Sequence, residues 1–118
     1  MITPNLYGNI VTNVATGLIG GPGVVPGANF GSRVAIFEPG ARHIGADIAG
    51  KNRANPTALT LTACMMLRHL KLDQYADLIE KAVYDVYENT NLRTPDLFGT
   101  ATTTEFTYEI IKNIRKRL

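Results

Sequence analysis

FEPGARHIGADIAGKNRANP, residues Phe37 to Pro56, joins a short apolar run to a strongly apolar helical one. The run before it, Val34-Ala35-Ile36-Phe37, reads as a strand, and the segment after Asn55-Pro56 reads as a helix. Between them lie Gly40, Gly45 and Gly50, the basic groups Arg42, His43, Lys51 and Arg53, and the acidic Asp47. A long polar loop at the end of a buried strand is where α/β proteins place ligands. An arbitrary loop of this kind is more often a basic surface connection, and the residue order has to carry any further reading.

The stretch divides the chain. Val34 to Phe37 is continuously apolar, which predicts a strand buried on both faces in a sheet covered by helices. Asn55 is a good N-cap and Pro56 suits a first helical position. From Ala58 to Leu70 the helix is apolar nearly all round, predicting burial between layers or between subunits. Its last turn carries Arg68 and His69, where positive charge suits a helix end and gives His69 a structural role.

On the N-terminal side, Leu6, Ile10, Val14 and Leu18 recur at i, i+4, predicting an amphipathic helix stopped by Gly20-Gly21-Pro22-Gly23. Its other face carries Asn9 and Asn13, one turn apart, so both amides reach one point in space. By spacing alone these two are a solvated polar face. Met1-Ile2-Thr3 and Val24-Val25 are weak strand candidates, and the Gly/Pro-rich segment up to Phe30 reads as an ordered loop.

On the C-terminal side, Leu78, Ile79, Ala82, Val83 and Val86 predict a one-sided surface helix capped by Asp73. Thr94 to Gly99 is a turn-rich connection. Thr102 and Glu105 fit a capping box for a last helix, with Phe106, Ile110, Ile114 and Leu118 on one face.

The 118 residues suit one domain, with 45% apolar and 19% charged residues. A formal charge of +2 implies neither nucleic acid nor membrane as a main partner. The basic run Lys112, Arg115, Lys116 and Arg117 suits a solvated helix end. A single Cys64, inside an apolar run, excludes an internal disulfide and predicts a buried thiol. No apolar run reaches the roughly 18 residues of a membrane-spanning helix, and no targeting leader is visible. No Cys/His set has metal-ligand spacing, and no phosphate-binding or nucleophile-elbow motif is present. No residue is assigned a catalytic or metal-binding role.

A nucleotide is easier to support. Asp47 supplies a carboxylate for ribose hydroxyls, Arg42, His43 or Lys51 face phosphates, and Asn55 with nearby backbone reads a base edge. The start of the following helix favours anions. One clear strand with four helices predicts part of an α/β domain whose remaining strands lie upstream. A compact four-helix domain is the alternative.

Six segments carry a family resemblance: Pro4-Asn5-Leu6-Tyr7-Gly8, Gly17 to Gly21, Val34 to Glu38, Asp47-Ile48-Ala49-Gly50-Lys51, Ala54 to Ala58, and Met65 to His69. Together they resemble the C-terminal third of NAD-dependent isocitrate dehydrogenase subunits, in the family shared with isopropylmalate dehydrogenase. The likeness runs along essentially all of the chain. It implies an α/β fold, this chain being the C-terminal part of an isocitrate/isopropylmalate dehydrogenase-like domain, mostly helices with few strands.

The departures are as informative. Catalytic subunits of the family carry Asp after Leu-Tyr-Gly and again four residues later, holding Mg²⁺ or Mn²⁺ with isocitrate. Here Asn9 and Asn13 stand there, making a degenerate metal site. The segment Gly40 to Asp47 also lacks the His-Gly-Thr-Ala-Pro-Asp run of catalytic subunits. Asn9, Asn13 and the Arg42-His43 pair resemble the regulatory subunits of the mitochondrial hetero-oligomer.

By that resemblance Arg42, His43, Asp47, Ile48 and Asn55 form a site for an adenine nucleotide, AMP or ADP as effector. Citrate or isocitrate would occupy the site descended from the substrate pocket. NAD and the divalent metal would belong to a catalytic partner subunit in the mitochondrial matrix. This chain alone is expected to be inactive. Two alternatives remain at this stage: a contributing catalytic subunit, and a structural subunit with a degenerate pocket.

Overall fold

The computed structural model describes residues 1–41 and 44–118. Helix α1 spans Asn5–Ile19 and ends at Gly20, whose φ of 125° is open to glycine and strained for other residues. The stop and the i, i+4 stripe are as the sequence predicts. The stripe is bare, however: Val14 is 61% and Leu18 83% exposed. Thr16 is the buried residue of α1, its hydroxyl donating to the Thr12 carbonyl. The main tertiary neighbour of α1 is the short turn Pro22–Val24 that follows it.

Strands β1, Pro26–Phe30, and β2, Ala35–Pro39, pair antiparallel, with Pro26 opposite Pro39 and Phe30 opposite Ala35. This corrects three expectations. The second strand is Pro26–Phe30, inside the segment expected as a loop, while Val24 belongs to a turn and Met1 to Thr3 form no strand. The strand expected at Val34 to Phe37 begins at Ala35 and runs on to Pro39. It is not buried on both faces: Ile36 is exposed, because a two-stranded sheet with helix α2 on one side leaves its other face open. Its apolar run is legible, but what covers it is not.

Helix α2, Thr57–His69, lies against the hairpin on one side and helix α3, Asp73–Asn89, on the other. The buried Thr62 joins layers: its hydroxyl accepts from Gly27 N–H and donates to the Glu38 carbonyl. His69 packs against Phe30 and Phe37 with ring centroids 5.5 and 5.6 Å away, a structural place as expected. Arg68 pairs with Asp77 and Glu80 of α3, and both carboxylates raise its pKa. Cys64 is fully buried, and burial raises its thiol pKa.

The expected cap of α3 by Asp73 is absent. Asp73 is the first helical residue, Leu72 holds the cap position, and the Leu72 carbonyl accepts from Tyr75 and Ala76. Helix α4, Thr103–Arg115, has the predicted capping box: Thr102 Oγ1 accepts from Glu105 N–H, and Glu105 accepts from Thr102 N–H. Those contacts from Thr102 hold the Glu105 carboxyl below its ordinary pKa. The core sits between α3 and α4, where Ala82, Val83 and Val86 meet Phe106 and Ile110.

Candidate nucleotide site

A cleft of about 460 Å³ opens where five separate segments converge. They are the turn at Pro22-Gly23, the end of β2 at Pro39, the loop from Ile44 to Ile48, the entry to α2 from Arg53, and Pro95-Asp96. Ile48, Ala58 and Leu59 give it apolar walls, and Arg53, Asn55 and Asp96 give it polar ones. Apolar walls with a few converging polar groups are the general form of a small-molecule site.

The polar wall is built by a chain of hydrogen bonds. Asn55 precedes α2, and its Oδ1 accepts from Thr57 N–H at 3.0 Å, capping the first turn. Its Nδ2 donates to Asp96 Oδ2 at 3.0 Å and lies 3.5 Å from the Tyr87 hydroxyl. The other carboxylate oxygen of Asp96 accepts from the hydroxyl of Thr94, a fully buried side chain. Tyr87 in turn meets the Thr57 hydroxyl at 2.6 Å. Gly23 backs this wall: a Cβ there would stand 2.3 Å from Asp96 Oδ2 and 2.9 Å from Asn55 Cβ.

Of the residues singled out by sequence, Ile48 and Asn55 line the cleft. Asp47 lies in the turn Ala46–Ile48, exposed, between the cleft-lining Gly45 and Ile48 but outside the lining itself. Arg42 and His43 lie outside the described residues. Lys51 is exposed and away from the cleft lining, where Arg53 is the nearer cation. Sequence reasoning missed Asp96, Gly23, Thr94 and Tyr87. A proline-aspartate turn and a glycine after proline are ordinary surface features, and nothing local marks their convergence.

Asn9 and Asn13 share one face of α1, with Asn13 Nδ2 3.4 Å from Asn9 Oδ1. Their amides satisfy each other weakly and leave no carboxylate between them. Among the described residues, no three His, Cys, Asp or Glu side chains stand together. Neutral amide oxygens hold a hard divalent cation more weakly than carboxylates do, so this pair fits one poorly. Asn9 borders a second, polar cleft with Asn29 and Glu38, and no Lys or Arg lines it among the described residues.

The chain belongs to the isocitrate/isopropylmalate dehydrogenase family, whose sequence profile matches residues 1–114. It is 55% identical over 116 residues to the mitochondrial NAD isocitrate dehydrogenase subunit 1 of Kluyveromyces lactis, covering 98% of this chain and 32% of that protein. It is 55% identical over 115 residues to the mitochondrial NAD isocitrate dehydrogenase subunit gamma of Homo sapiens, covering 98% of this chain and 29% of that protein. The chain therefore spans about a third of the length of the curated relatives it matches. Among solved structures, isocitrate dehydrogenase from Methylococcus capsulatus superposes with a TM-score of 0.86 at 40% identity, covering 94% of this chain and 33% of that one. A β-decarboxylating dehydrogenase from Thermococcus kodakarensis in its apo form gives a TM-score of 0.85 at 40% identity, covering 95% and 32%. The mostly helical fold with few strands is thus that of a portion of this family's domain.

Proposed function

We propose that this chain is the C-terminal part of a regulatory subunit of mitochondrial NAD-dependent isocitrate dehydrogenase. It binds an adenine nucleotide, AMP or ADP, and supports the oxidative decarboxylation of isocitrate to 2-oxoglutarate by a catalytic partner in the matrix. NAD and Mg²⁺ or Mn²⁺ work in that partner. The observation that carries the reading is a contrast between two sites: the cleft at the start of α2 is walled and hydrogen-bonded, while the metal positions are the neutral amides Asn9 and Asn13.

In the cleft, Ile48 and Leu59 suit a purine face, and Asp47 on the adjoining turn suits ribose hydroxyls. Arg42, His43 and Arg53 are the cations assigned to phosphate. Citrate or isocitrate at the second cleft needs positive charge from outside its described lining, because Glu38 is the charged group there. The bare apolar stripe of α1 supports a place for the chain inside a larger assembly.

The test is metal-dependent turnover and Mn²⁺ binding, with and without Asn9→Asp and Asn13→Asp. The chain alone is expected to produce no NADH. The double substitution is expected to create Mn²⁺ affinity without turnover. Metal-dependent NADH production by the unsubstituted chain would overturn the reading.

A further inference from the structure

The loop that brings Arg53 to the cleft is tied to the start of α4, where Thr104 lies 52 residues beyond Asn52. A helix start leaves four backbone N–H groups without partners inside the helix. In α4 two of them are met locally: Thr102 N–H donates to the Glu105 carboxylate, and Glu105 N–H donates to Thr102 Oγ1. The other two are met by one residue of the distant loop. Thr103 N–H donates to the Asn52 carbonyl at 3.1 Å, and Thr104 N–H donates to Asn52 Oδ1 at 3.1 Å. The Thr104 hydroxyl donates to the same oxygen at 2.8 Å.

Asn52 reaches these groups in a left-handed backbone conformation, with φ of 54°. Asparagine enters that region more readily than most residues with a side chain. Such a conformation persists where the surroundings hold it, and here the bonds from α4 do so. On the other side of Arg53, the Ala54 carbonyl accepts from the Thr103 hydroxyl. Both chain neighbours of Arg53 are therefore clamped to the same helical turn. Arg53 itself lines the nucleotide cleft and a neighbouring cleft that reaches Asn52 and Thr103, whereas Lys51, outside the clamp, lines neither.

Among the described residues no ion pair engages the Arg53 guanidinium. Its planar fork of donors matches phosphate oxygens. A cation on an unclamped loop must be ordered each time a ligand binds, and a clamped one has that cost removed in advance. We infer that Asn52 is a positioning residue: by capping α4 from the loop, it presents Arg53 to the cleft as a pre-set phosphate-binding cation. The start of α4 is thereby part of the support of the site, although Thr104 does not line the cleft.

This inference rests on the nucleotide-site reading above. The experiment titrates AMP and adenosine, which differ by the phosphate, into the chain coexpressed with a catalytic isocitrate dehydrogenase subunit. The unmodified complex is expected to bind AMP more tightly than adenosine. Arg53→Gln should lower that ratio most. Asn52→Gly keeps the carbonyl and the left-handed backbone but removes the side-chain acceptor, and should lower the ratio about fivefold, the worth of one helix cap. Thr104→Val removes a donor from the α4 side and should lower the ratio by less, while Thr104→Ser keeps the hydroxyl and should restore it. The Thr104 pair decides by the same ratio if the Asn52→Gly complex does not assemble. A merely structural loss weakens AMP and adenosine together and leaves the ratio alone, and that result overturns the inference. An unchanged ratio in Arg53→Gln also overturns it while leaving the nucleotide site standing. No saturable binding of AMP by the unmodified complex overturns the nucleotide-site reading, and the inference with it.

Discussion

The two ends of the chain use similar residues to opposite effect. In α4, Phe106 is fully buried against α3, while on α1 Leu18 is 83% exposed although its stripe is as regular. Helical periodicity states which face of a helix is apolar, and it says nothing of what lies over that face. The α3–α4 pair closes on itself because each helix supplies the other's cover. The α1 helix and the outer face of the hairpin have no such neighbour among the described residues, so they are the part of the fold that depends on other layers.

The difference can be broken most sharply at the closed end. Phe106→Ala should cost about 3–5 kcal/mol, the range for a large aromatic removed from a packed core. Chemical denaturation measures it, and a loss well below that range would mean the α3–α4 core is looser than its burial shows. Next in size is Thr102→Ala, which removes the cap of α4 and should cost about 1 kcal/mol. The same capping box carries a pH signature. The Glu105 carboxyl is lower in the folded chain than its ordinary value of 4.5, so its contribution is complete above that pH. It is lost as the pH falls through the lower folded value. Glu105→Gln should flatten that acid limb of the stability curve and leave the neutral limb alone. The smallest effect belongs to the open end: Leu18→Ala in the chain alone should change stability by less than about 0.5 kcal/mol. A larger loss would show that α1 is already covered.

The elements legible in the sequence are those whose signals are local. Gly20 ends α1, and Thr102 with Glu105 starts α4, since each signal lies within a turn. Strand β1 was hidden because Pro26, Gly27 and Asn29 are poor strand formers. Pairing with β2 and the Thr62 hydroxyl hold it extended, and neither is visible in its own residues. The cap of α3 went to Leu72 because the backbone there supplies its own acceptor. The cleft shows the same divide. Ile48 and Asn55 lie in the one loop between β2 and α2, whereas Asp96 meets Asn55 from 41 residues away. A carboxylate in a turn reaches the wall of a cleft through what the fold brings beside it.

The central claim is that the cleft at the start of α2 holds an adenine mononucleotide and that Asp47, on its adjoining turn, takes part. A calorimetric titration of AMP into the chain coexpressed with a catalytic isocitrate dehydrogenase subunit, with and without Asp47→Ala, tests it most directly. The account predicts saturable binding that the substitution abolishes while the complex stays folded. A folded, unsubstituted complex that binds no AMP would contradict the account, and so would binding that Asp47→Ala leaves unchanged.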